Sequence, residues 1–456
     1  MSSSEFINSN IQWFGSGVNS KPVPLISTVD QFNKLRATCV RITIDSYTEP
    51  KTTDNFDAVW STVDTTKFSS LKPSSINTSI CVVKVPNTWL CNSSSSVVIG
   101  GGVNNELHGD AMIAFADYAV SGIKKFIDDG VLFDYVEIID DPSDENNVYV
   151  SGQNYDILIK YFSSVLKTKI TLNCPKIMGP GVSCYQQTDY IGDNTKTLID
   201  AWSMRIIENE GDWTYQNDKT IPSFVYRTTF MTPVVHPVTV MRSINPNAPI
   251  FIIKNSSRRT MFDLNIDYGS SKGETDEYAF KIADDICSVM SSSYPSYFLS
   301  DFVNDKNNAT ALCRNDGVRR PQFGLYSLFN TLMPSSGYVY KQTTPPLLTL
   351  PPMTTDVVPD DQTLKMLIVN GNTFCFMLSR SQSIDNNNGK VSLKIKNQQQ
   401  WVNMTTCTLL FDCFPNNRSL TNVGYDYNMD DDGTLQIELD GLPYFCVIFI
   451  RGDMYI

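Results

Sequence analysis

The feature that most constrains this chain is an alternation, over its first three hundred residues, of short β-rich runs with segments of helical periodicity. Such alternation is typical of βαβ units, in which helices connect parallel strands. The runs that we interpret as barrel strands are 11–15, 40–45, 80–85, 135–139, 176–178, 198–204, 250–253 and 297–301. Because eight is the strand number of a closed TIM barrel, the pattern predicts an α/β fold with a (β/α)₈ barrel.

The clearest helix lies between the third and fourth predicted strands, where apolar residues recur every three or four positions and Gly130 follows as a stop signal. These apolar residues are Ile113, Ala116, Val120, Ile123 and Ile127. A second helix is predicted over residues 277–290, just before the last barrel strand. Both helices are expected to pack on the outer wall of the barrel.

The remainder of the chain has a different pattern. Residues 343–361 are dense in Pro and Thr and are not compatible with a helix or a central strand. Short strand-like runs follow, several of them separated by Asn-Gly or Asp-Gly turns, at 366–369, 373–379, 390–395, 407–411, 435–439 and 445–451. We therefore expect a barrel in residues 1–342, a transition in 343–361 and an antiparallel β-sandwich in 362–456.

Composition excludes several classes of function. The formal net charge of -12 disfavours nucleic acid as a partner. No run approaches the ~20 apolar residues of a membrane span, and the first residues lack the pattern of a signal peptide, so we expect a soluble protein, cytoplasmic or particle-associated. With 2 histidines and no Cys-x-x-Cys pair among 11 cysteines, neither a metal site nor a cofactor is expected.

Several segments, taken in order, resemble a known clan. They are Cys39-Val40-Arg41-Ile42, the stretch KVPNTWL from Lys84 to Leu90, the stretch from Asp117 to Pro142 ending in Asp140-Asp141-Pro142, and Arg320 to Phe329 followed by the stretch from Met333 to Tyr338. Their order is similar to that in retaining glycoside hydrolases with a (β/α)₈ barrel, most closely families 30 and 39. The resemblance implies that Arg41 ends near the sugar and that Trp89 follows the third strand.

Retaining hydrolysis needs two carboxyl groups about 5 to 5.5 Å apart, one as acid/base and one as nucleophile. The resemblance places Asp141 where the clan has the Glu of Asn-Glu-Pro, and Asp140 where it has the Asn that positions the sugar. It places Lys254 where the clan has the nucleophilic Glu of the seventh strand. Because an ammonium group cannot form the glycosyl-enzyme ester, both catalytic positions are predicted to be degenerate.

Each of these residues has a plainer interpretation. Asp140 and Asp141 are compatible with a solvated loop start, and Lys254 with a surface residue at a strand end rather than a cation paired to Asp141. Trp89 and Trp202 suit sugar stacking, but also ordinary core packing. Glu208 and Glu210 are the nearest acids that could act as a displaced nucleophile.

We therefore expect a catalytically inactive glycoside hydrolase-like protein. It would serve as a structural or assembly component, including one of a virus-like particle, or as a glycan-binding protein that contacts sugar through Arg41, Trp89, Asp140 and Trp202. The alternative is an active O-glycosidase that uses Asp141 as general acid. The expected partners are a glycan or other copies and structural proteins.

Overall fold

In a computed structural model of the protein, the residues described are 6–20, 33–69, 76–91, 105–107, 109–144, 148–183, 187–207, 237–255, 286, 296–304, 311–314, 317–332, 336–342, 363–370, 373–379, 391–395, 401–410, 424–429, 435–440 and 445–454.

A barrel of parallel strands forms the first part of the chain. Its strands are β1 (Phe6–Ser20), β2 (Cys39–Ile44), β3 (Thr78–Val83), β4 (Tyr135–Glu137), β7 (Lys176–Ser183), β8 (Ala201–Ile207), β9 (Ile250–Asn255) and β10 (Ser296–Asp301). Two short strands, β5 (Ser143–Asp144) and β6 (Val148–Tyr149), form a hairpin after β4. Each barrel strand pairs in parallel with the next, and β10 pairs with β1. The predicted TIM-like barrel is confirmed, and every predicted barrel strand overlaps an observed one.

Helices connect the barrel strands. They are α1 (Phe56–Ser61), α2 (Thr66–Ser69), α3 (Gly109–Asp128), α4 (Gly152–Lys169), α5 (Asp193–Leu198), α6 (Pro237–Ile244) and α7 (Pro321–Leu332), with 3₁₀ turns at Asn87–Trp89 and Gln187–Tyr190. The longest is α3, which is the helix predicted over residues 113–127. Of the predicted face, Ala116, Val120 and Ile123 are buried, whereas Ile113 is 49% exposed. The buried face also includes Met112 and Phe115. Of the helix predicted at 277–290, the structure describes only Ile286.

Two apolar layers hold the barrel together. The inner layer consists of Cys39, Ile80, Met178, Ala201, Phe251, Tyr297 and Leu299, and the rings of Phe251 and Tyr297 stack with centroids 4.6 Å apart. The outer layer lies between the strands and the helices, where Gly122 of α3 allows Trp60 of α1 to approach the helix closely. Because side chains alternate along a strand, strands such as β2, β3, β8 and β9 contribute to both layers.

Antiparallel strands make up the second part of the chain. They are β13 (Ser336–Gln342), β14 (Thr363–Asn370), β15 (Thr373–Ser379), β16 (Val391–Ile395), β17 (Trp401–Leu410), β18 (Gly424–Met429), β19 (Leu435–Asp440) and β20 (Phe445–Met454), preceded by a short parallel pair, β11 (Val303–Asn304) and β12 (Cys313–Arg314). One sheet has the order β13-β14-β15-β20-β17, and a second has the order β16-β19-β18. The six predicted strands are present, whereas β11, β12, β13 and β18 were not predicted. The β-sandwich in which two such sheets pack face to face stays a prediction.

The strand β1 belongs to both parts. Its first half pairs antiparallel with β13, from Phe6 with Gln342 to Gln12 with Ser336, whereas its second half pairs in parallel with β2 and β10. The predicted transition 343–361 lies outside the described residues. The domain boundaries at 342 and 362 stay predictions, although β1 already links the barrel to the antiparallel sheet through hydrogen bonds.

Candidate functional site

Charged side chains occupy the inward positions of the barrel at the carboxyl ends of the strands. On β2 the inward Cys39 is followed two residues later by Arg41, and on β4 Tyr135 is followed by Glu137. On β8 the order is Ala201, Ser203 and Arg205. The inward face of these strands is thus apolar at the amino end and ionic at the carboxyl end, which is the end where barrel enzymes carry their sites.

Glu137 lies at the centre of this ionic cluster and is fully buried. Its Oε2 accepts hydrogen bonds from Nε of Arg41, at 2.7 Å, and from Nη2 of the same guanidinium, while Nη2 of Arg205 lies 3.7 Å from it. Its Oε1 accepts the hydroxyl proton of Ser203 at 2.8 Å. Both oxygens of this carboxylate are therefore bound by groups from β2 and β8, each of which lies two places from β4 in the barrel.

Space for the Glu137 carboxylate depends on Gly181 of β7. This glycine has a φ of +72°, and a methyl group at its Cα would overlap Oε1 of Glu137 and lie 3.3 Å from Oγ of Ser203. Glycine adopts positive φ without steric cost and leaves room for a close neighbour. The absence of a side chain at position 181 therefore leaves the space that the Glu137 carboxylate occupies.

Asp140 connects the two guanidinium groups at the mouth of the barrel. Its Oδ1 lies 2.8 Å from Nη2 of Arg41 and 2.5 Å from Nη2 of Arg205. Glu137 and Asp140 are three residues apart at the end of β4, and each contacts both arginines. Burial lowers the pKa of Arg41, but the pairing with Glu137 and Asp140 outweighs this and raises it, so the guanidinium remains charged.

Asp141 stands beside this network in a strained backbone conformation. Its φ is 55°, a left-handed value that Asp adopts more readily than most residues. Its Oδ1 accepts the hydroxyl proton of Ser143 at 2.7 Å, and its Oδ2 lies 3.7 Å from Nε of Arg205. Burial raises the pKa of Asp141, Arg205 and Ser143 oppose the shift, and the charges of Asp140 and Asp144 add to it. The net effect is a raised pKa.

Three of the predicted site residues, Arg41, Asp140 and Asp141, are brought together in this cluster, and their predicted roles stay predictions. For Lys254 the structure describes the backbone alone. It lies in β9 in register with Ile206 of β8 and Ser300 of β10. Its predicted place as the degenerate nucleophile position stays a prediction.

The two predicted tryptophans lie in the outer apolar layer. Trp89 is 5% exposed, packs against Phe56 and Tyr118, and donates its indole proton to the carbonyl of Pro50 at 2.7 Å. Trp202 is 1% exposed and belongs to the same apolar cluster. These environments match the packing interpretation, and sugar stacking by either indole stays a prediction. Glu208 and Glu210 lie outside the described residues.

Sequence reasoning missed Glu137, Ser203 and Arg205. A signal was present, because Glu137 and Arg205 are lone charges within otherwise apolar strands, as Arg41 is. Charged residues are seldom buried unless they are paired. Three such residues in parallel strands of one barrel are therefore a reason to predict an internal ion network.

Two kinds of feature are absent from the described part of the chain. No group of three or more His, Cys, Asp or Glu side chains there is arranged to hold a metal ion. No helix there is long and apolar enough to cross a membrane.

No protein-family model matches this sequence, and no curated protein sequence matches it significantly. Solved structures do. A family 30 subfamily 8 xylanase from Clostridium acetobutylicum has a TM-score of 0.59 at 11% identity, covering 98% of this chain and 97% of its own. A family 51 α-L-arabinofuranosidase from Bifidobacterium longum has a TM-score of 0.59 at 11% identity, covering 98% and 99%. The catalytic domain of a family 30 xylanase from Talaromyces cellulolyticus has a TM-score of 0.56 at 12% identity, covering 99% of each chain. At these identities the likeness establishes a glycoside hydrolase-like fold.

Proposed function

We propose that this protein binds a carbohydrate at the carboxyl end of its glycoside hydrolase-like barrel and does not hydrolyse it. The fold of the xylanases and of the arabinofuranosidase supports the choice of ligand class. The ionic cluster supports the choice of place, because polar groups are concentrated where barrel proteins of this kind bind ligands.

The observation that carries the absence of hydrolysis is the pairing of Glu137, Asp140 and Asp141. Each of these carboxylates accepts a hydrogen bond from an arginine or a serine. A retaining enzyme needs a carboxylate that can reach the anomeric carbon, and an inverting enzyme needs one that can deprotonate a water. Glu137 is fully buried, and the charge of Asp140 is shared by two guanidinium groups, so neither is suited to these roles.

Binding makes different demands, which the cluster meets. The side chains of Asp140 and Asp141 are 17% and 12% exposed, so they can accept hydrogen bonds from sugar hydroxyl groups. Buried guanidinium groups hold both carboxylates in place, Asp140 through Arg41 and Arg205, and Asp141 through Arg205. A ligand therefore finds acceptors that are already oriented, which reduces the entropy lost on binding.

A second candidate, hydrolysis with Asp141 as general acid, is favoured by one observation. Burial raises the pKa of Asp141, and a general acid must keep its proton at the working pH. The pairing of Asp140 and Glu137 argues against the base or nucleophile that this mechanism also requires. No described contact favours the assembly role, which stays a prediction.

The test combines a glycan array with a turnover assay on a panel of aryl glycosides. We expect binding to at least one oligosaccharide, loss of binding in the double variant Asp140→Asn and Asp141→Asn, and no turnover. The control is Asp193→Asn, which removes a carboxylate that is 98% exposed. Turnover that disappears in Asp141→Ala would establish the hydrolase instead, and absence of binding across the array would refute the proposal.

A further inference from the structure

We infer that Glu137 determines which class of sugar the site accepts, because by pairing with Arg41 and Arg205 it directs the site toward neutral or amino sugars and away from acidic ones. The inference rests on the proposed function, since it concerns the ligand of the same site. It is based on the net charge of the cluster and on which of its side chains are exposed to solvent.

The charge balance of the described cluster depends on Glu137. Two guanidinium groups face three carboxylates, those of Glu137, Asp140 and Asp141. With the carboxylates ionised, the cluster has one negative charge in excess. Without the charge of Glu137 the two signs would balance, and the excess negative charge that opposes a ligand anion would be removed.

Burial decides which charges a ligand meets. The side chains of Arg41, Arg205 and Glu137 are 0% exposed, whereas those of Asp140 and Asp141 are 17% and 12% exposed. The described surface of the cluster is therefore formed by carboxylates. A uronic acid would place another carboxylate against them, and such contacts between like charges disfavour binding.

The surrounding described residues support this assignment. The negative charge of Asp144 adds to the raised pKa of Asp141, so it increases the negative potential at the same place. Lys84, at the end of β3, is paired with Asp45 at 3.0 Å, so its ammonium is already opposed by a carboxylate. An ammonium group on a sugar would instead be attracted by Asp140 and Asp141, and sugar hydroxyl groups would donate to the same oxygens.

The binding test compares three oligosaccharides of equal length, one of glucose, one of glucosamine and one of galacturonate. For the intact protein, we expect the galacturonate oligomer to bind at least about tenfold more weakly than the glucose oligomer. In Glu137→Gln, which keeps the shape of the side chain and removes its charge, this ratio should fall severalfold. Asp193→Asn is the matched control and should leave the ratio unchanged.

A second measurement needs no sugar. The pKa of Asp141, followed by NMR, should be lower in Glu137→Gln than in the intact protein, because Arg205 is then opposed by one carboxylate fewer. It should be higher in Arg205→Gln. Equal ratios in Glu137→Gln and the intact protein, or an Asp141 pKa that does not move, would overturn the role of Glu137 while the binding function stood. If the protein bound none of the three oligomers, both proposals would be overturned.

Discussion

Replacing Gly181 by alanine should dislodge the Glu137 carboxylate from its place between Arg41 and Ser203. Two effects add. At a φ of +72° an alanine loses about 1–2 kcal/mol through steric strain of the left-handed backbone. Its methyl group would also overlap Oε1 of Glu137, and breaking a buried ion pair costs about 3–5 kcal/mol. We therefore expect a loss of about 4–7 kcal/mol in the free energy of unfolding.

Gly130 provides a matched control within the same chain. Its φ is +87°, and a methyl group there would meet nothing within 4 Å. Gly130→Ala should therefore show the backbone strain alone, about 1–2 kcal/mol. The difference between the two variants isolates the contact with Glu137.

The assay is equilibrium unfolding in guanidinium chloride, followed by tryptophan fluorescence. It is repeated for Gly181→Ala in a Glu137→Ala background, where the overlap is absent and the cost of the alanine should fall to that of strain alone. Equal losses for Gly181→Ala and Gly130→Ala, or an undiminished loss in the Glu137→Ala background, would refute the packing argument.

Three further variants test other parts of the structure. Asp156→Ala should cost about 1 kcal/mol at neutral pH, since its carboxylate accepts hydrogen bonds from the first turn of α5. Burial raises the pKa of Asp156, but these hydrogen bonds outweigh it and lower the pKa. The stability that Asp156 contributes should therefore be lost as the pH falls below about 4. Unfolding curves recorded at several pH values test this. Gly122→Ala should destabilise by about 1–3 kcal/mol through overlap with Trp60, whereas Gly324→Ala, which meets nothing within 4 Å, should be neutral or stabilising in the same unfolding assay. If Trp89 is a core residue, Trp89→Phe should retain glycan affinity while Trp89→Ala loses about 3–5 kcal/mol of stability; loss of affinity at unchanged stability in Trp89→Phe would favour the sugar platform.

The barrel could be predicted because each strand carries its own signal. Runs such as Ile80–Val83 combine β-branched residues with a length suited to a buried parallel strand, and the breaks between them coincide with helices. Strand ends were less accurate. The strand β4 ends at Glu137, two residues before its predicted end, and the chain bends over the next three residues before the positive φ of Asp141.

The site could be predicted only in part, for a physical reason. Asp140 and Asp141 precede a proline in a recognisable motif, whereas Glu137 and Arg205 are 68 positions apart and are brought together by the closure of the barrel. Their pairing depends on strand register, which residue spacing along the chain does not reveal. The burial of Trp202 follows from which side of its strand the helices cover, and that of Trp89 from contacts with Phe56 and Tyr118, which are distant in sequence.

The position of β1 has a consequence for the synthesis of the protein. Its partners β10 and β13 begin at Ser296 and Ser336, some 280 or more residues later, so β1 leaves the ribosome long before they exist. At translation rates of about 5–20 residues per second, this interval lasts roughly 15 to 60 seconds. During that time one edge of the strand has no neighbour from its own barrel, and unpaired edges are where chains associate wrongly. Of the barrel strands, β1 is thus the one with the longest interval between its own synthesis and that of its last partner, and its unpaired edge is the part of the barrel most exposed to misassembly.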